Sequence, residues 1–189
     1  MHGLINRSLQ SFLRDTYGPA LWSRIADAAG VGAEGFEAML TYEDGVTDRV
    51  IGAAAQALAK PREALLEDLG IYLVSLEPLR RLLRFGGVDY VDFLQTVDEL
   101  PERARLAVAD IGLPDLTLDA PEPDQFTLHF DEGHPGFAPV FVGILRAMAD
   151  DYGAFALVDL DGERQVKVEL LQTAYASGRA FDLARPEEA

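Results

Sequence analysis

Residues 88 to 109 read VDYVDFLQTVDELPERARLAVA, and they close the helical part of the chain. Before them the apolar residues recur at helical spacing; after Gly112 they mostly alternate. Read as one helix, this stretch sets Phe93, Val97, Leu100/Pro101, Ala104 and Val108 on a single stripe, three or four residues apart. Proline sits on that stripe. In a helix interior it would lose the hydrogen bond to the Val97 carbonyl and collide with it, costing roughly 3 kcal/mol unless the helix bends or restarts. A restart is expected, because Pro101 suits a first helical position and Glu102 then sits at the positive end of the new helix. The bend is expected between Val97 and Pro101.

Upstream, Leu4, Ile5, Leu9, Phe12, Leu13 and Tyr17 keep one amphipathic period that Gly18-Pro19 ends. A second helix is expected over about Ala20 to Ala29 with Gly30 as its stop, and a third segment begins over Gly35 to Leu40. Thr47 is placed to cap an Ala-rich helix over Asp48 to Ala59. Pro61 opens another, running to Leu76, and Glu77-Pro78 introduces a short one over Leu79 to Arg84. Downstream, DLTLDAPEPDQFTLHF (Asp115 to Phe130) reads as two strands around a Pro-rich connection. ALVDLDGERQVKVELLQ (Ala156 to Gln172) reads as a hairpin turned at Asp161-Gly162, and a helix over Phe137 to Asp151 lies between the two pairs. Helices followed by strands give an α+β architecture with an antiparallel sheet of about four strands. We expect one domain over residues 1–174, helical to about 111 and sheet-forming over about 112–174. A tail follows over 175–189, of which SGRAFDLARPEEA has little reason to be ordered.

Composition narrows the function. At 189 residues with 49% apolar and 25% charged side chains, the chain is long enough for a sizeable core and too apolar for disorder. A net charge of -16 repels phosphate backbones and anionic membranes, so nucleic acid and membrane surfaces are not expected partners. No run of 18 apolar residues and no signal-type amino terminus is present, which points to a cytoplasmic, bacterial-type protein. Without cysteine there are no disulfides, thiolate catalysis or sulfur-ligated metals. Three scattered histidines, His2, His129 and His134, do not make a zinc site. The acidic groups Tyr42-Glu43-Asp44 and Asp159-Asp161 fall in expected turns, where Asp is favoured for backbone reasons. An enzyme built on them is the weakest reading.

LLRFGG (Leu82 to Gly87) followed by DFLQTVDEL (Asp92 to Leu100) resembles the region before the proximal haem histidine of the haem-nitric oxide/oxygen binding (H-NOX) family, the sensor module of soluble guanylate cyclase. MHGLINRSLQSFLRDTYG (Met1 to Gly18) is similar to that family's first helix, and GFAPVFVGILRAMADDYG (Gly136 to Gly153) to its late helix. The resemblance spans about residues 1 to 174 and implies a haem cofactor. Pro101 stands where the family has its axial histidine. The family also holds the haem propionates with a Tyr-x-Ser-x-Arg motif, since hydroxyls and a planar guanidinium suit carboxylates. Alignment through Pro135-Gly136 puts Phe130, Glu132 and His134 at those positions. Phe130 cannot donate, Glu132 sets an anion beside a propionate, and only a protonated His134 would replace part of the lost cation. A literal Tyr175-x-Ser177-x-Arg179 follows the last strand instead, and reads as a chance match.

With axial ligand and propionate clamp both lost, no haem is expected to be held in the family manner. By resemblance and helix phase, Leu4, Ile5, Leu73, Leu83, Phe93, Val97, Val140, Ile144 and Met148 would line the pocket, either filled as core or open to a small apolar ligand. The leading expectation is a stand-alone H-NOX-like regulatory domain that signals through a protein partner by movement of the 88–109 segment against the sheet. The first alternative is a haem-binding sensor of NO or O2 in which His129 or His134 ligates iron from a shifted position.

Overall fold

The helix α8, Phe137–Tyr152, is apolar on nearly every side and is buried accordingly, from Phe137 through Leu145 and again at Met148, Ala149 and Asp151. The computed structural model of the chain describes residues 1–131 and 135–179, and within it α8 is sandwiched between helices and a sheet. On the helical side lies α4, Arg62–Ser75. The two backbones touch: a Cβ built on Gly70 would lie 2.1 Å from the Val140 carbonyl oxygen, and one on Gly143 would lie 2.0 Å from that of Glu67. Any side chain at either glycine would pry the helices apart.

Helices α1 (Gly3–Tyr17) and α2 (Pro19–Ala29) form as the apolar spacing requires, burying Leu9, Phe12, Leu13, Trp22 and Ile25. Gly18 and Gly30 end them with positive φ, and Pro19 opens α2. Two expectations are corrected here. Gly35 to Leu40 is irregular, because Gln10 satisfies its backbone from the side: the Gln10 Oε1 accepts from the Phe36 N–H at 2.9 Å and its Nε2 donates to the Glu34 carbonyl at 3.1 Å. Thr47 does not cap α3. That helix, Asp44–Leu58, starts a turn earlier with Glu43 before it, and the buried Thr47 hydroxyl donates to Asn6 Oδ1 at 2.7 Å.

Strands β1 (Leu116–Glu122), β2 (Gln125–Phe130), β3 (Phe155–Leu160) and β4 (Gln165–Gln172) make an antiparallel sheet in the order β1-β2-β4-β3. The α+β expectation of about four strands holds. Period-2 alternation turns Phe126, Leu128, Phe130, Val166, Val168 and Leu170 towards α8, with Leu128 opposite Val166 and Phe126 opposite Val168. Thr127 and His129 take the other face, opposite Lys167 and Gln165. Beyond β4 the described backbone runs to Arg179, and residues 180–189 of the expected tail lie outside the described residues. The N–H of Arg179 donates to the Asp151 carbonyl at 2.8 Å.

The 88–109 segment is broken, as its proline suggests, but not where expected. It forms α6 (Tyr90–Gln95), a 3-10 turn (Val97–Glu99) and α7 (Leu100–Ala107). The break falls at Thr96, with φ -120 and ψ 6. Its hydroxyl donates to the Gly86 carbonyl at 2.7 Å, which anchors the joint to the preceding loop. The Val97 carbonyl is not left unpaired, because the Leu100 N–H donates to it. Pro101 is the second residue of α7, close to the first position expected.

Candidate functional site

The ground beneath the broken segment is packed with rings. Tyr90, from α6, is 1% exposed and donates its hydroxyl to the Leu145 carbonyl of α8 at 3.0 Å. Phe93, one turn later, is fully buried and lies 6.0 Å from Tyr90 and 5.9 Å from Tyr152, centroid to centroid. Val97 and Met148 are buried with them, and Val140 and Ile144 continue the same face of α8 towards α4. Of the other expected lining residues, Ile5, Leu73 and Leu83 are half-buried at the edge of the core and Leu4 is 36% exposed. The structure therefore sets Phe93 against Tyr152 at the end of α8, buries Val97, Val140, Ile144 and Met148, and leaves Leu4 at the surface.

At the axial position Pro101 is buried and offers no lone pair to a metal. At the first propionate position Phe130 is buried, its ring edge-on to Phe141 at 5.2 Å and 72°. Glu132 and His134 lie outside the described residues. His129 faces away from α8, since its neighbours Leu128 and Phe130 point inwards. No group of three His, Cys, Asp or Glu side chains among the described residues is arranged to hold a metal. Pro101 and Phe130, expected at the axial and first propionate positions, offer neither an iron ligand nor a hydrogen bond to a carboxylate.

The Tyr175-x-Ser177-x-Arg179 run has structural uses of its own. Tyr175 packs on Phe155 with centroids 5.0 Å apart, and Arg179 reaches Glu77 at 3.6 Å. The acidic turns are also accounted for. Asp44 sits in the first turn of α3, Asp161 pairs with Lys167 at 2.6 Å, and Asp159 lies 3.6 Å from Arg146.

One polar cluster escapes the sequence reading. Arg80, from α5 (Glu77–Arg84), is 2% exposed and donates from Nε to Asp151 Oδ1 at 2.6 Å. Arg84 lies 3.6 Å from the same carboxylate and stacks 3.9 Å over the Tyr152 ring. The Tyr152 hydroxyl donates to the Gly87 carbonyl at 2.9 Å, and burial pushes its pKa up to about 12. These groups lock α5 to the end of α8. Removing one partner of such a buried pair costs about 3–5 kcal/mol. The cue lay in the i, i+4 arginines of EPLRRLLR, but their carboxylate partner is remote in sequence.

Helices lead into a small antiparallel sheet, with one apolar helix between the two and a broken helix over its end. The haem-NO-binding (HNOB) family model matches residues 2–156, and the chain belongs to that family. It is 23% identical over 155 residues to the soluble guanylate cyclase gcy-31 of Caenorhabditis elegans, and 18% identical over 155 residues to the soluble guanylate cyclase 89Db of Drosophila melanogaster. In each case 80% of this chain is matched, and it spans only 22% and 23% of those relatives. The Fe(II) unliganded H-NOX protein of K. algicida has the same fold, with a TM-score of 0.79 at 14% identity over 94% of this chain and 100% of that one. A variant of the T. tengcongensis H-NOX protein gives 0.74 at 14% identity, over 92% of this chain and 99% of its own. Among the described residues no helix is long and apolar enough to cross a membrane.

Proposed function

We propose that this chain is a regulatory H-NOX-family domain that works without haem held in the family manner. The reading rests on one observation: Pro101 and Phe130, which the resemblance puts at the axial and first propionate positions, are both buried, and neither side chain carries an atom that binds iron or a carboxylate. The ring cluster of Tyr90, Phe93 and Tyr152 supports it, because these side chains fill the space beneath the broken segment and stabilise the fold without a cofactor. In this proposal the signal is the movement of α6 and α7 about Thr96, and a signalling protein reads it in the cytoplasm. Protein expressed with ample haem should be purified colourless. A stoichiometric Soret band that shifts on adding nitric oxide or carbon monoxide would overturn the reading. Comparison of His134→Ala with His129→Ala would then identify the ligand.

A further inference from the structure

After β4 the backbone follows a fixed path. The N–H groups of Tyr175 and Ala176 donate to the Gly153 carbonyl at 2.7 and 3.0 Å, and that of Arg179 donates to the Asp151 carbonyl. Gly178 lies so close to the end of α8 that a Cβ there would sit 2.7 Å from the Tyr152 carbonyl oxygen. The Arg179 carbonyl in turn accepts from Arg80 Nη2 at 3.4 Å, which sets this part of the chain on the middle of α5. One turn further along α5, Arg84 begins the wall of an open groove of about 520 Å³. Phe85, Gly86, Gly87, Val88, Gln95 and Thr96 are among the residues that line it. Of these, Phe85 and Val88 expose 64 and 89% of their surface, and Leu82, just before them on α5, exposes 60%. Three large apolar side chains so close in sequence mark a surface made to be covered.

We propose that this groove is the docking site of the chain's own next segment, Ala180-Phe181-Asp182-Leu183. Reach supports this occupant. Four helical residues from Arg80 to Arg84 advance about 6 Å, and two extended residues from Arg179 to Phe181 advance about 7 Å. Pattern supports it too, because in an extended segment Phe181 and Leu183 share one side and Asp182 takes the other. The two apolar side chains then cover Phe85 and Val88, while the carboxylate stays in water. The consequence is mechanical. The groove contains both ends of the Thr96–Gly86 hydrogen bond, so a seated segment stiffens the joint of the broken helix and a released one frees it. This assignment does not depend on whether haem is bound.

The chain has no cysteine, so introduced pairs report proximity without background. Phe181→Cys is combined in the full chain with Leu82→Cys, Phe85→Cys or Val88→Cys, and as a control with Leu106→Cys, which is 90% exposed on α7. On mild oxidation the better of the Phe85 and Val88 pairs should close an intramolecular disulfide about tenfold faster than the control, as its higher effective concentration requires, with the Leu82 pair marking the groove's edge. Equal rates would overturn the proposal. Disulfide-linked dimers in place of internal bridges would also overturn it, assigning the groove to a second copy. As a second measurement, Phe181→Ser with Leu183→Ser should speed alkylation of a lone Val88→Cys. An unchanged rate would count against the segment as occupant.

Discussion

Pro101 and Phe130, expected where the family has an imidazole and a phenol, are both buried. Pro101 fits because the second residue of a helix has no intrahelical acceptor for its N–H, so nothing is lost by lacking one. Phe130 fits because Phe141 offers it an edge-on ring. Restoring one group should therefore not restore the site. Pro101→His alone should retain at most a small fraction of haem through purification. Adding Phe130→Tyr, Glu132→Ser and His134→Arg should raise occupancy several-fold, since the propionates regain hydroxyl and guanidinium donors. Equal occupancy in the single and quadruple variants, read from the Soret absorbance per protein, would sink the clamp argument. The sequence proposes these positions because a motif says where to look, and Glu132 and His134 lie outside the described residues. Arg80 and Asp151 were not legible as a pair: their pairing spans 71 residues, and only the packing of α5 on the end of α8 brings them together.

At the level of elements, periodicity located the helices and alternation the strands, because both patterns follow from which face must be buried. The break in the 88–109 segment was legible as an event but misplaced as a position. A side-chain bond from Thr96 to a carbonyl ten residues earlier anchors it there, which no periodicity encodes. Two substitutions separate the causes. Were proline the cause, Pro101→Ala would straighten and stabilise the helix. With the break at Thr96 and the Val97 carbonyl already paired to Leu100, Pro101→Ala should leave helix content unchanged and alter stability by less than about 1 kcal/mol, with a small loss from the freer unfolded chain. Thr96→Val keeps the side-chain shape but removes the donor to Gly86, and should cost about 1–2 kcal/mol. It should also speed amide exchange at residues 86–88 and 97–100. Circular dichroism with denaturant melts on both variants decides between them, and a clear gain in helix content from Pro101→Ala would return the break to the proline.

Across the whole molecule, α8 is the member that everything else leans on, and phenols report how tightly. Tyr90 reaches α8 from α6, Tyr152 ends α8 and reaches the 85–88 loop, and Tyr72 of α4 donates to Asp15 of α1 at 2.6 Å. Burial raises the pKa of all three. Tyr72 goes up to about 12, helped by its bond to Asp15, and Tyr152 goes to about 12 against the opposing pull of Arg84. Tyr90 is pushed up as well, by burial first and then by Asp150. In the unfolded chain each ionises near about 10. Below that pH both states hold the proton and stability is at its full value. Above it the unfolded state releases protons that the folded state keeps, so stability falls as pH rises. For the buried Tyr90 alone the slope is about 1.4 kcal/mol per pH unit. Absorbance at the phenolate band should therefore show Tyr72, Tyr90 and Tyr152 ionising late, in one cooperative step that coincides with loss of circular dichroism above pH ~10. Tyr90→Phe should make the loss of stability with pH shallower, while lowering stability at neutral pH through the lost bond to Leu145. A smooth titration of all six tyrosines near pH ~10 in a chain that keeps its native dichroism would show that α8 is not sealed as the fold requires.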